Sequence, residues 1–246
     1  MLHHNFRKGT RILIIFRDGI KLDCKFLDRK ARSMLTDKGE FLFKTMRATT
    51  IFKHKEVVQA APNMVSSGMI YYVRHGQTPN NVKRIFYKEE EEVGLNDQGF
   101  AQADKTAEEL KDIKFDICYC SPRKRAVQTA QQILKYHPNV KVVYDKRIWE
   151  RIWGEVSGLP VSLVEPNRWY RYAQFNYKGI ETVDEVFARA KSFYDEIKHK
   201  HAGQTILVVS HGGFGRVTHC YFHGFPDDND LSNIELKNAE FAKFEM

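Results

Sequence analysis

The chain lacks several things that would decide its class at once. No apolar run in its 246 residues approaches the roughly 20 needed to cross a bilayer. The basic N-terminus carries an apolar stretch, Ile12 to Phe16, shorter than the about 7–15 residues of a secretory core. A soluble, cytoplasmic protein without a membrane partner is expected. Cysteine is scarce, four in all, at 24, 118, 120 and 220. No C-x-x-C pair points to zinc, and a disulfide framework is not expected. Cys118 and Cys120, two apart in a candidate strand, are expected on opposite faces. His3-His4 and the His199/His201 pair sit at a terminus and a helix end, so no metal site is expected. There is no internal repeat, and low complexity is confined to Glu89–Glu92, which reads as a solvated acidic loop.

Excess charge is also missing from most of the chain. The net charge is +8, yet residues 65–246 hold 25 basic and 25 acidic side chains. Residues 1–64 hold 14 against 6 and so carry the whole excess. Such asymmetry favours a separate module with an anionic partner, nucleic acid or protein, against the plainer reading of a solvated basic face.

What is present divides the chain. Residues 1–58 read as a small all-β module. Arg11 to Phe16 is rich in β-formers, Asp18-Gly19 signals a tight turn, and Ile20 to Leu27 alternates. Ala31–Thr36, Phe41–Phe43 and Met46–Phe52 complete five short strands, enough for a small barrel. Residues 59–68 read as a linker from Ala-Ala-Pro-Asn and Ser-Ser-Gly. From 69 to 246 strand and helix signals alternate, predicting an α/β domain with a mainly parallel sheet. Its strands are expected to include Asp116–Cys120 and Val140–Tyr144. Asn96 is a helix cap, with Phe100, Ala103, Ala107 and Leu110 inside. Ser121-Pro122 reads as a cap followed by proline at the first helical position. Thr182 to Glu185 reads as a capping box, opening a stripe of Val183, Val186, Phe187, Ala190, Tyr194 and Ile197 that Gly203 closes.

Two apolar runs end in histidine: Tyr-Tyr-Val-Arg74-His75-Gly76 and Ile-Leu-Val-Val-Ser-His211-Gly212-Gly213. In open α/β sheets ligands gather at the carboxyl ends of strands. Arginine and histidine there suit a phosphoryl group, whose transfer is mostly positioning and electrostatics.

The motifs run in a fixed order. Arg74-His75-Gly76 is followed by Thr78 and Asn81. Leu95-Asn96-Asp97-Gln98-Gly99 precedes Gln102-Ala103. Ser121 to Ala130 reads S-P-R-K-R-A-V-Q-T-A, and Trp149 to Gly154 reads W-E-R-I-W-G. Glu181-Thr182 with Arg189, then Ser210 to Gly213, complete the set. Across residues 69–246 this resembles the histidine phosphatase superfamily, or phosphoglycerate mutase-like family. The resemblance implies a three-layer sandwich preceded here by the barrel. It implies His75 as a nucleophile forming a phosphohistidine, Glu150 as proton donor and His211 beside them. Arg74 and Arg125 would hold the phosphoryl oxygens, with Asn81, Thr78 and the Gly212 N–H as lesser contacts. It implies no metal and no cofactor. Outside the motif, an arginine placed like Arg125 is ordinarily a surface residue, and Glu150 a solvated loop acid.

The N-terminal module weakly resembles an Sm-like fold, in its G-x-R-I-L-I-I-F-R-D-G opening and M-R-A-T-T-I-F close. It departs from RNA-binding Sm chains, with Leu35 after Met34 and Ala48 after Arg47.

Only 22 residues separate Gly158 from Glu181, where material covering the substrate would sit. Mutases resembling this chain carry larger, more basic insertions and read E-R-H-Y-G where this one reads E-R-I-W-G. A phosphatase acting on a small phosphorylated metabolite or a phosphoprotein is therefore expected over mutase-type transfer. Trp169, Tyr170, Arg171, Tyr172, Phe175 and Tyr177 in the short insertion either pack it down or stack on a nucleotide. A third reading is a phosphate-sensing scaffold whose basic barrel docks on RNA or protein.

Overall fold

A computed structural model describes residues 68–164 and 177–246, together with the backbone of six N-terminal strands. The chain separates into two compact units, Met1–Val65 and Ser66–Met246.

In the first unit the strands are β1 (Arg11–Phe16), β2 (Lys21–Lys30), β3 (Ser33–Thr36), β4 (Gly39–Leu42), β5 (Arg47–Ala48) and β6 (Val57–Pro62). They form one antiparallel sheet in the order β5-β4-β3-β2-β1-β6. Most of the expected strand Met46–Phe52 lies outside the described residues. The expected linker is shorter than its composition suggests, because β6 occupies residues 57–62. Val57-Val58 favours extended backbone, and Pro62 is tolerated because β6 is an edge strand.

The second unit is built on β7 (Met69–Arg74), β8 (Ile117–Cys120), β9 (Lys141–Tyr144), β10 (Thr205–Ser210) and β11 (Phe241–Glu245). The order is β11-β7-β10-β8-β9. Four strands are parallel, and β11 closes one edge antiparallel to β7. The helices are α1 (Pro79–Lys83), α2 (Asp97–Leu110), α3 (Lys124–Leu134), α4 (Val183–Lys200) and α5 (Gly212–His223).

Alternation along the strands sorts the side chains into two apolar layers. Tyr71, Val73, Leu207 and Val209 pack with Ala107, Leu110, Ala126, Ala130 and Ile133 of α2 and α3. Ile70, Tyr72, Ile206 and Val208 pack with Val186, Phe193, Tyr194, Phe214 and Val217 of α4 and α5. Both faces of the sheet are covered, as a parallel sheet requires. The expectation for the cysteines fails: residues two apart on a strand share a face. Cys118 and Cys120 are both buried in the first layer as free thiols.

The caps at Asn96 and Thr182 form as expected. Asn96 Oδ1 accepts from Gly99 N at 2.8 Å. Thr182 and Glu185 exchange both capping-box bonds. Helix α3 starts later than expected, at Lys124 with Arg123 in the cap position. The Ser121 hydroxyl is instead engaged with His211.

The helices after β7 and β10 lie on opposite faces, so a crevice opens between the carboxyl ends of these adjacent strands. This is the switch point at which open sheets bind ligands.

Candidate active site

Parallel pairing carries Ser210 opposite Arg74, so the next residue of each strand, His75 and His211, emerges at the same level. The two imidazole centroids are 5.3 Å apart. Both rings are buried, His75 at 1% exposure and His211 at 0%.

His75 is held by its own turn. Its Nδ1 lies 2.7 Å from the Gly76 carbonyl oxygen, which only an N–H can satisfy. That puts the ring proton on Nδ1 and the lone pair on Nε2. Arg125 agrees with the assignment, since its Nε–H donates to His75 Nε2 at 3.3 Å. Burial, then Arg125 and Arg74, hold the His75 pKa well below 6.5. The imidazole is neutral at pH 7, the form a nucleophile needs.

The turn is fixed from outside. Gly76 N–H donates to Thr129 Oγ1 at 3.0 Å, and that hydroxyl donates to the Arg125 carbonyl. The His75 loop and helix α3 are thereby coupled. A Cβ on Gly76 would lie 2.4 Å from Gly99 O, so the loop passes against the start of α2 as only glycine can. The His75 carbonyl accepts from Ala239 N and Asn238 Nδ2, residues near the other end of this unit.

Arg125 is 2% exposed, in α3's first turn. Among the described residues no carboxylate pairs with it; its guanidinium lies 3.8 Å from the centre of the Tyr87 ring. Arg74 Nη1 donates to the Leu236 carbonyl at 2.6 Å, while its Nε is buried without a partner. His211 Nε2 bonds Ser121 Oγ at 2.7 Å, and its Nδ1 is also buried and unpartnered. Burial, then Arg125 and His75, push the His211 pKa well below 6.5. Buried polar atoms without partners are costly, and a buried guanidinium more so. An anion beside Arg125 would offset its buried charge.

Glu150 enters from the segment after β9. Its carboxylate accepts from Arg151 N at 2.8 Å and Gly213 N at 3.1 Å, the latter in the first turn of α5. Arg189 on α4 holds the surrounding backbone, donating to the carbonyls of Arg147, Trp149 and Glu150 and pairing with Glu181.

The lesser candidates differ from expectation in detail. Thr78 caps α1. Its hydroxyl donates to Asn81 Oδ1 and accepts from Asn81 N–H, and it also meets the Tyr87 hydroxyl. One donor and two acceptor positions are then filled. Asn81 Oδ1 is taken by Thr78 and Asn238, which leaves its NH2 as the outward group. Gly212 opens α5, and a Cβ there would lie 3.1 Å from Arg74 Nε.

Tyr87, Ser121, Thr129 and Asn238 were missed by sequence reasoning. Ser121 and Thr129 lie inside a quoted motif whose other members drew the attention. Tyr87 and Asn238 stand in loops with no periodicity to mark them. The aromatic residues 169, 170, 172 and 175 of the insertion, with Arg171, lie outside the described residues. Tyr177 packs partly buried beside Trp153 and Val156.

The family model described as "Histidine phosphatase superfamily (branch 1)" matches residues 70–246. The chain belongs to that superfamily and is an enzyme of phosphatase class. It is 32% identical over 184 residues to a protein of Hydrogenobacter thermophilus named putative phosphoserine phosphatase 2, covering 72% of this chain and 89% of that one. A 2,3-bisphosphoglycerate-dependent phosphoglycerate mutase of Brucella anthropi is also 32% identical, over 159 residues, 59% of this chain and 77% of the other. Among solved structures, a mycobacterial glucosyl-3-phosphoglycerate phosphatase superposes with a TM-score of 0.63 at 23% identity, covering 72% and 89%. That likeness shows the shared fold.

Proposed function

We propose that the protein is a phosphomonoester hydrolase working through a phosphohistidine on His75, without a metal. The observation that carries this is the neutral, buried His75 with its lone pair turned toward Arg125, beside polar atoms of Arg74 and His211 that lack partners.

The phosphoryl group sits among Arg74, Arg125 and His211, with the Asn81 NH2 and Gly212 N–H as further donors. His75 Nε2 attacks phosphorus in line, and the P–O bond to the leaving alcohol breaks. Glu150 gives its proton to that oxygen. Water then attacks the phosphorus, Glu150 takes the water's proton, and the P–N bond breaks to free phosphate and restore His75. The fixed donors act where charge develops, which is the larger part of phosphoryl-transfer catalysis.

Substrates of the class suggested by the relatives' names, phosphoserine and phosphoglycerate esters, come first in a screen. The 22 residues between Gly158 and Glu181 favour water over a second sugar or acid as acceptor. Mutase-type transfer is the alternative, and a phosphoglycerate that isomerises without releasing phosphate would establish it.

The decisive test is His75→Ala with a chromogenic aryl phosphate and no added metal. Hydrolysis is expected to vanish while the protein stays folded. Full activity in that variant refutes the assignment.

The reading of the N-terminal unit is an Sm-like module with an anionic partner, supported by its basic excess; among the described residues no pairing of β5 with β6 closes its sheet into the five-stranded barrel expected. RNA binding by the full chain that weakens steeply with salt would support it. Absence of binding at low salt would leave a protein-docking or phosphate-sensing role.

A further inference from the structure

One aromatic side chain stands against the groups assigned to the phosphoryl subsite. His75, Thr78, Arg125 and His211 are all buried, while Tyr87 is only half-buried and stands outside them. Its hydroxyl lies 2.5 Å from Thr78 Oγ1. Since the Thr78 proton goes to Asn81 Oδ1, the Tyr87 O–H is the donor. The Tyr87 ring lies over the Arg125 guanidinium at 3.8 Å and meets the edge of His75 at 6.1 Å between centroids. Burial raises the Tyr87 pKa, so the phenol keeps its proton at neutral pH.

The backbone on both sides of Tyr87 is tied down. Phe86 packs on Trp153 at 4.3 Å and exchanges backbone bonds with Gly158 and Leu159. On the other side, Glu91 accepts from Asn80 Nδ2 at 3.2 Å. Glu92 accepts from Arg123 Nη1 at 3.2 Å and Lys124 N at 2.9 Å. The acidic run is a tethered strap, not a free loop, and Tyr87 is its inward residue.

We propose that Tyr87 is a resident competitor for the phosphoryl subsite, which swings out on substrate binding and returns to expel product phosphate. This rests on the phosphatase reading of the site. The Tyr87 ring stands against both Arg125 and His75, where a phosphate dianion bound between those two would have to fit. Displacement also leaves the Tyr87 O–H free of Thr78, whose own proton stays on Asn81 Oδ1. Apparent affinity is then the intrinsic affinity reduced by the fraction of molecules with Tyr87 out. The cost falls equally on bare phosphate and on esters, and esters that reach Trp149 and Trp153 on the wall of the outer cleft can offset it.

The test is calorimetric binding of inorganic phosphate to the full chain, as wild type, Tyr87→Phe and Tyr87→Ala. Tyr87→Ala is expected to bind about 10–100-fold more tightly, from loss of a hydrogen bond and a desolvated cation–π contact. Tyr87→Phe keeps the ring and is expected to gain only about 3–10-fold. Should the alanine variant fail to fold, the phenylalanine variant carries the test. Affinities equal within twofold, or weaker in either variant, overturn the proposal; weaker binding would make Tyr87 a phosphate contact instead. Aryl phosphate turnover measured alongside separates the two readings. The predicted order of binding without any turnover sinks the hydrolase and keeps the gate. Turnover with flat phosphate affinity sinks the gate alone, and no phosphate binding by any form sinks both.

Discussion

Arg189 offers the most direct probe of how Glu150 is held. Its guanidinium makes five bonds: to the carbonyls of Arg147 (2.7 Å), Trp149 (2.8 Å) and Glu150 (3.2 Å), and to both oxygens of Glu181 (2.7 and 2.9 Å). Glu181 in turn accepts from Ile152 N, and its carbonyl takes Arg151 Nε. The segment 147–152 has little regular structure beyond one short turn, so this pair is its main frame. Side-chain exposures of 19% and 12% mean that solvent screens the pair only partly. Arg189→Met leaves a mostly buried carboxylate with only the Ile152 N–H, and takes a donor from three carbonyls. Loss of one partner of such a pair costs about 3–5 kcal/mol. Arg189→Lys keeps the charge but loses the planar fork, and about 2 kcal/mol is expected. Trp149 and Trp153 lie in or next to this segment, so urea unfolding followed by intrinsic fluorescence reports on it. Turnover should fall about 10–100-fold in the lysine variant, because small displacements of a catalytic group are expensive. Phosphate affinity, which the proposed mechanism assigns to Arg74 and Arg125, should change less. A methionine variant within 0.5 kcal/mol of wild type (roughly the noise of such measurements) and unchanged in turnover would show that the frame lies elsewhere.

Two further outcomes follow from the buried groups. Thr129→Val removes the acceptor of Gly76 N–H without changing volume, and should cost about 1–3 kcal/mol in denaturant unfolding, with turnover falling as the His75 loop loosens; an unchanged midpoint would mean that another acceptor serves. His75 and His211 both have folded pKa values depressed by burial and positive neighbours, so the unfolded state takes up protons that the folded state refuses. Stability should hold above about pH 6.5 and decline below it, by at most about 2.7 kcal/mol per pH unit for two protons; unfolding midpoints flat from pH 7.5 to 5.5 would contradict the burial argument.

Much of the second unit was legible because its signals are local. A strand that ends in Arg-His-Gly needs only its own residues to place His75 at a sheet edge, and caps at Asn96 and Thr182 are written in three or four adjacent positions. The start of α3 was misplaced because Ser121 had a competing partner, His211, 90 residues away. Phe241–Glu245 carries no alternation distinct from a loop, and pairing with β7 alone makes it a strand. Strand β6 was hidden by Ala-Ala-Pro, a turn-like composition that an edge position accommodates. Tyr87 was invisible for a different reason: its role is to occupy a space created by other residues, and no property of its neighbours in sequence records that space.

The His75 carbonyl is clamped by Asn238, 163 positions later, and Arg74 N–H is answered by Glu240. Residues near the two ends of the second unit therefore meet at His75. A chain emerging from the ribosome would carry His75 early and yet hold an unformed site until almost the last residues of the unit are made. Closing so long a loop is slow and entropically costly. Chemistry and the completion of folding are thus tied to one event, and a chain that stops short of β11 has the motif without the enzyme.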